Sequence, residues 1–308
     1  MKVLVTGSSG LVGTALVEAL GQDGHTVCRL LRPQSAGSVP PAGPQVTSAR
    51  WDPVSGQLDS TAGEGANAVV NLAGASIARG RWNEAYKHLL RSSRVDATRA
   101  LVAALAKLSQ PPALFISASA VGYYGDRGDE ELTEQSAPGA DFLAGLARDW
   151  EAEAVRAEQF GVRVATLRFG VILARHGGAL ERMLPPFRLG IGGRLGSGRQ
   201  WMSWLTLDEA VAIIRFALDT AGARGPINAV APNSVRNAEF TAILGRVLRR
   251  PALFPVPQGV LRLMFGEMGQ ALMLASQRAL PKRLVELGYR FEHAALEPAL
   301  RTTLERPA

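Results

Sequence analysis

Apolar residues alternate along this chain between short solid runs and longer helical spacings. Val3-Leu4-Val5 is a buried run. Leu11, Ala15, Leu16 and Ala19 follow at the spacing of one helix face, and a second run spans residues 26–31. Gly24 closes the helix between them. Strand, helix and strand within the first 31 residues begin a parallel sheet with crossover helices. The same spacing predicts strands at 68–72, 113–117, 163–168 and 226–230. It predicts one long or two consecutive helices over 81–108, and single helices over 141–160 and 207–220, the last opened by Thr206 or Asp208. Residues 33–50 hold four prolines and two glycines and read as a loop. Residues 177–198, rich in glycine and proline, break the alternation. From Ser234 onward the chain reads as mostly helical, with a last short segment around Tyr289-Arg290-Phe291.

The strongest chemical signal is Gly7-Ser8-Ser9-Gly10-Leu11-Val12-Gly13, placed directly after a strand and opening a helix. Gly7 permits the tight turn, Gly10 lets backbone approach a pyrophosphate, and Gly13 lets the helix pack close to the strand. The helix start offers N–H groups and the positive end of a dipole to phosphates. Ser9, Leu11 and Val12 belong to the same cradle. An α/β doubly wound, Rossmann-type parallel sheet follows, with a smaller and mostly helical C-terminal part. The division expected is 1–175 with 205–232 returning to it, against 176–204 and 233–308.

An NAD site usually has Asp or Glu after the second strand to hold the ribose 2′-hydroxyl. No acidic residue occurs between Gly24 and Trp51. Arg32 ends that strand, with Arg29 three residues earlier, and a guanidinium there suits a 2′-phosphate. NADP(H) is therefore expected over NAD(H). Asp52 is a candidate for the adenine amino group, or else it forms an Asp-Pro turn. Leu72, Ala73 and Gly74 follow Asn71 at a strand end and let the chain pass close to a ribose. Ser117 to Gly125 ends the next strand. In an open parallel sheet these strand ends converge on one crevice.

The 308 residues carry a net charge of +7. Four of the 34 basic residues are lysine and the rest arginine, spread along the chain without a basic stripe. Nucleic-acid binding needs such a stripe within a recognisable module, so no nucleic-acid partner is expected. The apolar stretches are too short for a membrane span of about 20 residues, and the start of the chain does not read as a signal peptide. Cys28 is the only cysteine, which excludes an internal disulfide and fits a reducing, cytoplasmic setting. Four scattered histidines give no metal-site spacing.

The chain resembles the extended short-chain dehydrogenases/reductases through VTGSSGLVG, NLAG and SASAVGYYG. It is similar, more narrowly, to the NAD-dependent epimerase/dehydratase-like "epimerase family" proteins. That likeness rests on NLAGASIARGRW, SASAVGYYGDRG, DFLAGLARDWEAEA, the block from LRFGVILARHGG to WMSWLTLDE, and LPKRLVELGYRF. The resemblance implies a dinucleotide domain with a small C-terminal domain closing over a small-molecule substrate. It places Ser119 (or Ser117) at the serine facing the nicotinamide, and Arg168, Gly170 and Val171 at the turn beside the carboxamide. It also implies a Tyr-x-x-x-Lys pair on the following helix, with the tyrosine as general acid/base and the lysine lowering its pKa and holding the nicotinamide ribose, but Leu143 and Ala147 stand at those positions, or Phe142 and Leu146 with a shift of one residue. Tyr123 and Tyr124 are substitute acids or a packed turn.

In the substrate half, Arg199, Gln200 and Trp204 are candidates for an anionic or hydroxyl-rich ligand, with Trp201 and Trp204 otherwise packing between domains. Two functions stand open. One is an NADP(H)-dependent oxidoreductase or epimerase-like enzyme. The other is an NADPH-sensing regulator without turnover that binds a protein partner, since some relatives are described as cell-division inhibitors. A homodimer is left open as the assembly.

Overall fold

The computed structural model describes residues 1–33, 43–79 and 81–305. Strand β1 (Lys2–Thr6) leads into helix α1 (Leu11–Gln22), and β2 (Thr26–Leu31) returns parallel to β1 with Val27 beside Val3. Gly24 sits at φ +81°, the left-handed conformation that ends a helix sharply. The stretch 33–50 is not one loop. Strand β3 (Val46–Asp52) runs parallel to β2, and β4 (Gln57–Leu58) folds back antiparallel on it. Only Trp51 of the seven β3 side chains is buried. Backbone pairing rather than an apolar face holds this strand, so no apolar period marks it. Residues 34–42 of the expected loop lie outside the described residues.

Strand β5 (Ala68–Asn71) pairs with the other edge of β1. Of the two alternatives over 81–108, the chain forms consecutive helices: α2 (Glu84–Arg91) and α3 (Ala97–Leu105), joined by a single π-type turn (Ser92–Asp96). Then come β6 (Leu114–Ala120), α4 (Phe142–Val155), β7 (Arg163–Phe169) and β8 (Val171–Leu173). The Asp141 carboxylate opens α4 by accepting the Ala144 N–H at 2.8 Å.

Residues 177–198 depart from the expected break. They contain α5 (Gly178–Arg188), with Pro185 and Pro186 inside it. Leu180, Leu184 and Phe187 fall at i, i+4 and i+7 and are buried, so packing of one face outweighs the prolines. Strand β9 (Trp204–Thr206) pairs with β8, and Thr206 accepts the Glu209 N–H to start α6 (Leu207–Asp219). Strand β10 (Gly225–Ala229), α7 (Asn237–Leu248), α8 (Gln258–Phe265) and α9 (Leu296–Glu305) complete the principal elements.

The main sheet runs β10-β7-β6-β5-β1-β2-β3-β4, parallel throughout except for the final pair. Chain order reverses between β1 and β5. Alternate strand residues serve opposite faces. Val3, Val5, Val70, Ile116 and Leu167 cluster with Leu16 and Leu20 of α1 and Ile213 and Ile214 of α6. Leu4, Val69, Phe115 and Val164 cluster with Leu101 and Leu105 of α3. A separate core gathers Leu180, Leu184 and Phe187 of α5, Trp204, Phe240 and Leu244 of α7, and Leu296, Ala299 and Leu300 of α9. Among the described residues, no helix is long and apolar enough to cross a membrane.

Candidate functional site

A cleft of about 560 Å³ opens where the strand order reverses, at the carboxyl ends of β1, β2, β3 and β5. Its floor is Thr6 to Gly10. One wall is Leu30, Leu31 and Arg32 with Trp51, Pro53 and Val54, and the other is Leu72 to Ala75. Two glycines of the loop have no room for a side chain. A Cβ on Gly7, which sits at φ +64°, would lie 2.6 Å from the Leu72 carbonyl atoms. One on Gly13 would lie 2.2 Å from the Gly7 carbonyl oxygen and would push the helix off the strand. The start of α1 has no side-chain cap and no acidic residue in its first turn. Its N–H groups are therefore left to an outside acceptor.

Ser8 supplies a further observation. Its side chain is buried at 3% exposure and lines the cleft, and its hydroxyl has no hydrogen-bond partner among the described residues. Buried hydroxyls are normally bonded. A phosphate oxygen over the loop would satisfy this one. These residues fit the pyrophosphate of a dinucleotide.

Of the other candidates, Ser9, Gly10, Leu72, Ala73 and Gly74 line the cleft, and Leu11 and Val12 stand half-buried at its helix end. Arg32 is exposed at the mouth. Asp52 forms the turn that was its other reading. Its carboxylate accepts the Val54 N–H at 3.0 Å and the Ser55 hydroxyl at 2.8 Å, and these bonds hold its pKa below the usual range. Trp51, Pro53 and Val54 face the cleft around it.

The residues expected at the nicotinamide end form a buried network instead of an open surface. The Ser119 hydroxyl donates to Glu151 at 2.6 Å. Arg168 makes two bonds of 2.8 Å to the same carboxylate, and a third of 3.0 Å to the Tyr124 hydroxyl. Tyr124 in turn donates to Asn228 at 2.6 Å. The Arg168 guanidinium lies 3.5 Å from the Tyr123 ring centre. Burial raises the Tyr124 pKa to about 12, against the opposing pull of Arg168. Burial alone would lower Arg168, but the bonds and charge of Glu151 outweigh it and hold the guanidinium charged. Ser119, Tyr124 and Arg168 are thus committed to one another, and Tyr123 is the half-exposed member. Gly170 is a close approach: a Cβ there would lie 2.5 Å from the Ser203 carbonyl oxygen.

The three substrate-half candidates are not brought together at the cleft. Trp204 is fully buried in the separate core and donates to the Asn233 carbonyl. The Gln200 amide is spent on the Leu195 and Met273 carbonyls. Arg199 is exposed on the surface. Trp201 donates to Asp129 between the guanidinium groups of Arg236 and Arg278. A small cavity of about 90 Å³ opens at Leu143 of α4, between Trp82, Phe142, Asp126, Asp141 and Glu267. No spacing in the sequence singled out Trp82, Asp126 or Glu267.

A family model described as "NAD dependent epimerase/dehydratase family" matches residues 3–230, and "Domain of unknown function (DUF1731)" matches residues 256–303. The chain belongs to the NAD dependent epimerase/dehydratase family. An epimerase family protein of Mycobacterium bovis is 42% identical over 305 residues, covering 99% of this chain and 98% of that protein. The crystal structure of the human epimerase family protein SDR39U1 (isoform 2) with NADPH superposes with a TM-score of 0.88 at 35% identity, covering all of both chains. A Bacillus cereus UDP-glucuronic acid 4-epimerase, solved with UDP-glucuronic acid and NAD, reaches a TM-score of 0.75 over 99% of each chain. At 16% identity that likeness shows the fold alone. In this epimerase/dehydratase chain the cleft stands at the point of strand reversal where open α/β sheets hold their ligands.

Proposed function

We propose that the chain binds NADP(H) in this cleft and acts as a reductase- or epimerase-like enzyme on a small polar substrate. The observation that carries the cofactor half is the glycine cradle with the unpartnered Ser8 hydroxyl at one end and Arg32 at the other. The Ser8 hydroxyl and the N–H groups opening α1 take the pyrophosphate. Arg32 takes the 2′-phosphate, and no carboxylate after β2 competes for the 2′-position. Trp51 and Val54 face the adenine. NADPH in the human relative's structure supports the same reading. A bound nicotinamide supplies a hydride donor or acceptor.

The substrate end is the cavity at Leu143. Its carboxylates, Asp126, Asp141 and Glu267, beside Trp82 and Phe142 suit a hydroxyl-bearing ligand. The stretches 176–204 and 233–308 form the smaller unit that closes over it. Leu143 and Ala147 can move no proton, and the Ser119 hydroxyl already donates its hydrogen bond to Glu151. That observation favours a second reading, a regulator that binds NADPH without turning it over.

Titration with NADPH and NADH, followed by nicotinamide fluorescence and repeated with Arg32→Ala, tests the cofactor half. NADPH is expected to bind more tightly than NADH, and Arg32→Ala to weaken NADPH by about 10-fold or more. Equal affinities unaffected by the substitution would remove Arg32 from the site. Consumption of NADPH with any carbonyl substrate separates the enzyme from the regulator.

A further inference from the structure

Arg94 is a half-buried cation that none of the chemistry above uses. It lies in the π-type turn Ser92–Asp96, where the long helix is interrupted. Such bulges cost helix stability and occur often at functional sites. Its Nη2 donates to the Ala75 carbonyl at 2.9 Å, and its Nη1 makes longer contacts with the Leu90 carbonyl and Ser93 hydroxyl. Among the described residues it has no carboxylate partner, and its Nε–H makes no hydrogen bond. The nearby Asp96 pairs with Arg99 instead. Burial pulls the Arg94 pKa down to about 10. A charge drawn partly out of water without an anionic partner is costly, and the face of Trp150, 5.4 Å away, offsets only part of that.

Its position bears on the missing lysine. The guanidinium lies directly beneath the cleft wall, where a Cβ on Gly74 would meet its Cζ at 2.9 Å. Its other face is Trp150 of α4, and Ala147 stands three residues earlier on the same helix face. Ala147 is where the resemblance puts a lysine that holds the nicotinamide-side ribose. A positive charge therefore reaches that side of α4 from the opposite helix.

We propose that Arg94 takes the place of this lysine and uses its free N–H groups to hold the vicinal hydroxyls of the nicotinamide-side ribose. This rests on the reading that the cleft takes NADP(H). It explains why the helix is interrupted where Ser92, Ser93 and Asp96 border the cleft. It also explains why Gly74 has no side chain, since any would displace the guanidinium.

The test compares two probes on the full chain by calorimetry: NADPH, and adenosine 2′,5′-bisphosphate, which carries the adenine end alone. Arg94→Met is expected to weaken NADPH by about 10-fold or more and to leave the bisphosphate within about twofold. Arg94→Lys is expected to recover most of the NADPH affinity, as is Ala147→Lys added to Arg94→Met. Arg32→Ala weakens both probes and serves as the control. Should Arg94→Met fail to fold, Arg94→Gln keeps a donor for Ala75 without the charge and is read in the same way. Wild-type binding of NADPH with no loss in the Arg94 variants overturns the assignment and leaves the cofactor reading standing. Equal loss of both probes also overturns it, because the residue then only supports the loop. Failure of the wild type to bind either probe overturns both readings.

Discussion

Glu151→Ala is the perturbation whose cost the structure fixes most directly. Arg168 is 3% exposed and spends two of its N–H groups on that carboxylate. Removing the carboxylate leaves a buried guanidinium facing a phenol hydroxyl, the Glu134 carbonyl and two aromatic rings, with no anion. The Ser119 hydroxyl loses its acceptor at the same stroke. Breaking one partner out of a buried pair costs about 3–5 kcal/mol. For a chain of this size, at about 2 °C per kcal/mol, the melting temperature falls by roughly 6–10 °C.

Urea unfolding followed by circular dichroism gives the free energy, and a thermal melt gives the temperature. Arg168→Met alone should cost a similar amount, since it leaves a buried carboxylate. The double variant Glu151→Ala, Arg168→Met should cost less than the sum of the two, because no unpaired charge remains. Two single variants within about 1 kcal/mol of wild type, adding linearly in the double, would refute the buried, coupled pair.

Two further outcomes follow from the site. Gly13→Ala places a methyl 2.2 Å from the Gly7 carbonyl oxygen. It should cost about 1–3 kcal/mol of stability and abolish NADPH binding in the fluorescence titration; retained affinity would mean that the loop and helix are not packed as described. Tyr124, whose pKa is raised to about 12, keeps its proton longer in the folded chain than in the unfolded one. Its share of the stability is therefore complete below about pH 10 and falls as the pH rises from there towards 12. Tyr124→Phe should flatten that slope in denaturant titrations at high pH, and an unchanged slope would place the titration elsewhere.

How much could be read beforehand depended on how local each signal was. The glycine loop needs only seven consecutive residues between a strand and a helix, and the cleft forms on it. Strand β3 carries no such mark, because six of its seven side chains are not buried and its partner β2 lies across a proline-rich stretch. The helix α5 was hidden by its glycines and prolines, although Leu180, Leu184 and Phe187 already had helical spacing. The side chains of Gln200 and Trp204 were read for their chemistry, but their partners Met273 and Asn233 are distant in sequence. Arg94 gave no signal among 30 arginines. What sets it apart is a glycine some 20 residues before it and a tryptophan some 56 after it, and only the fold brings these together.

The separate core around α5 has a consequence for synthesis. Its apolar face, Leu180, Leu184 and Phe187, is completed by Phe240 and Leu244, about 60 residues later, and then by Leu296 to Leu300. At a translation rate of about 5–20 residues per second, each wait lasts roughly 3–12 s. For most of the first wait the parallel sheet also lacks β10, its edge beside β7. A ribosome stalled near residue 230 therefore carries a chain whose glycine loop is finished and whose α5 face is bare to chaperones and proteases.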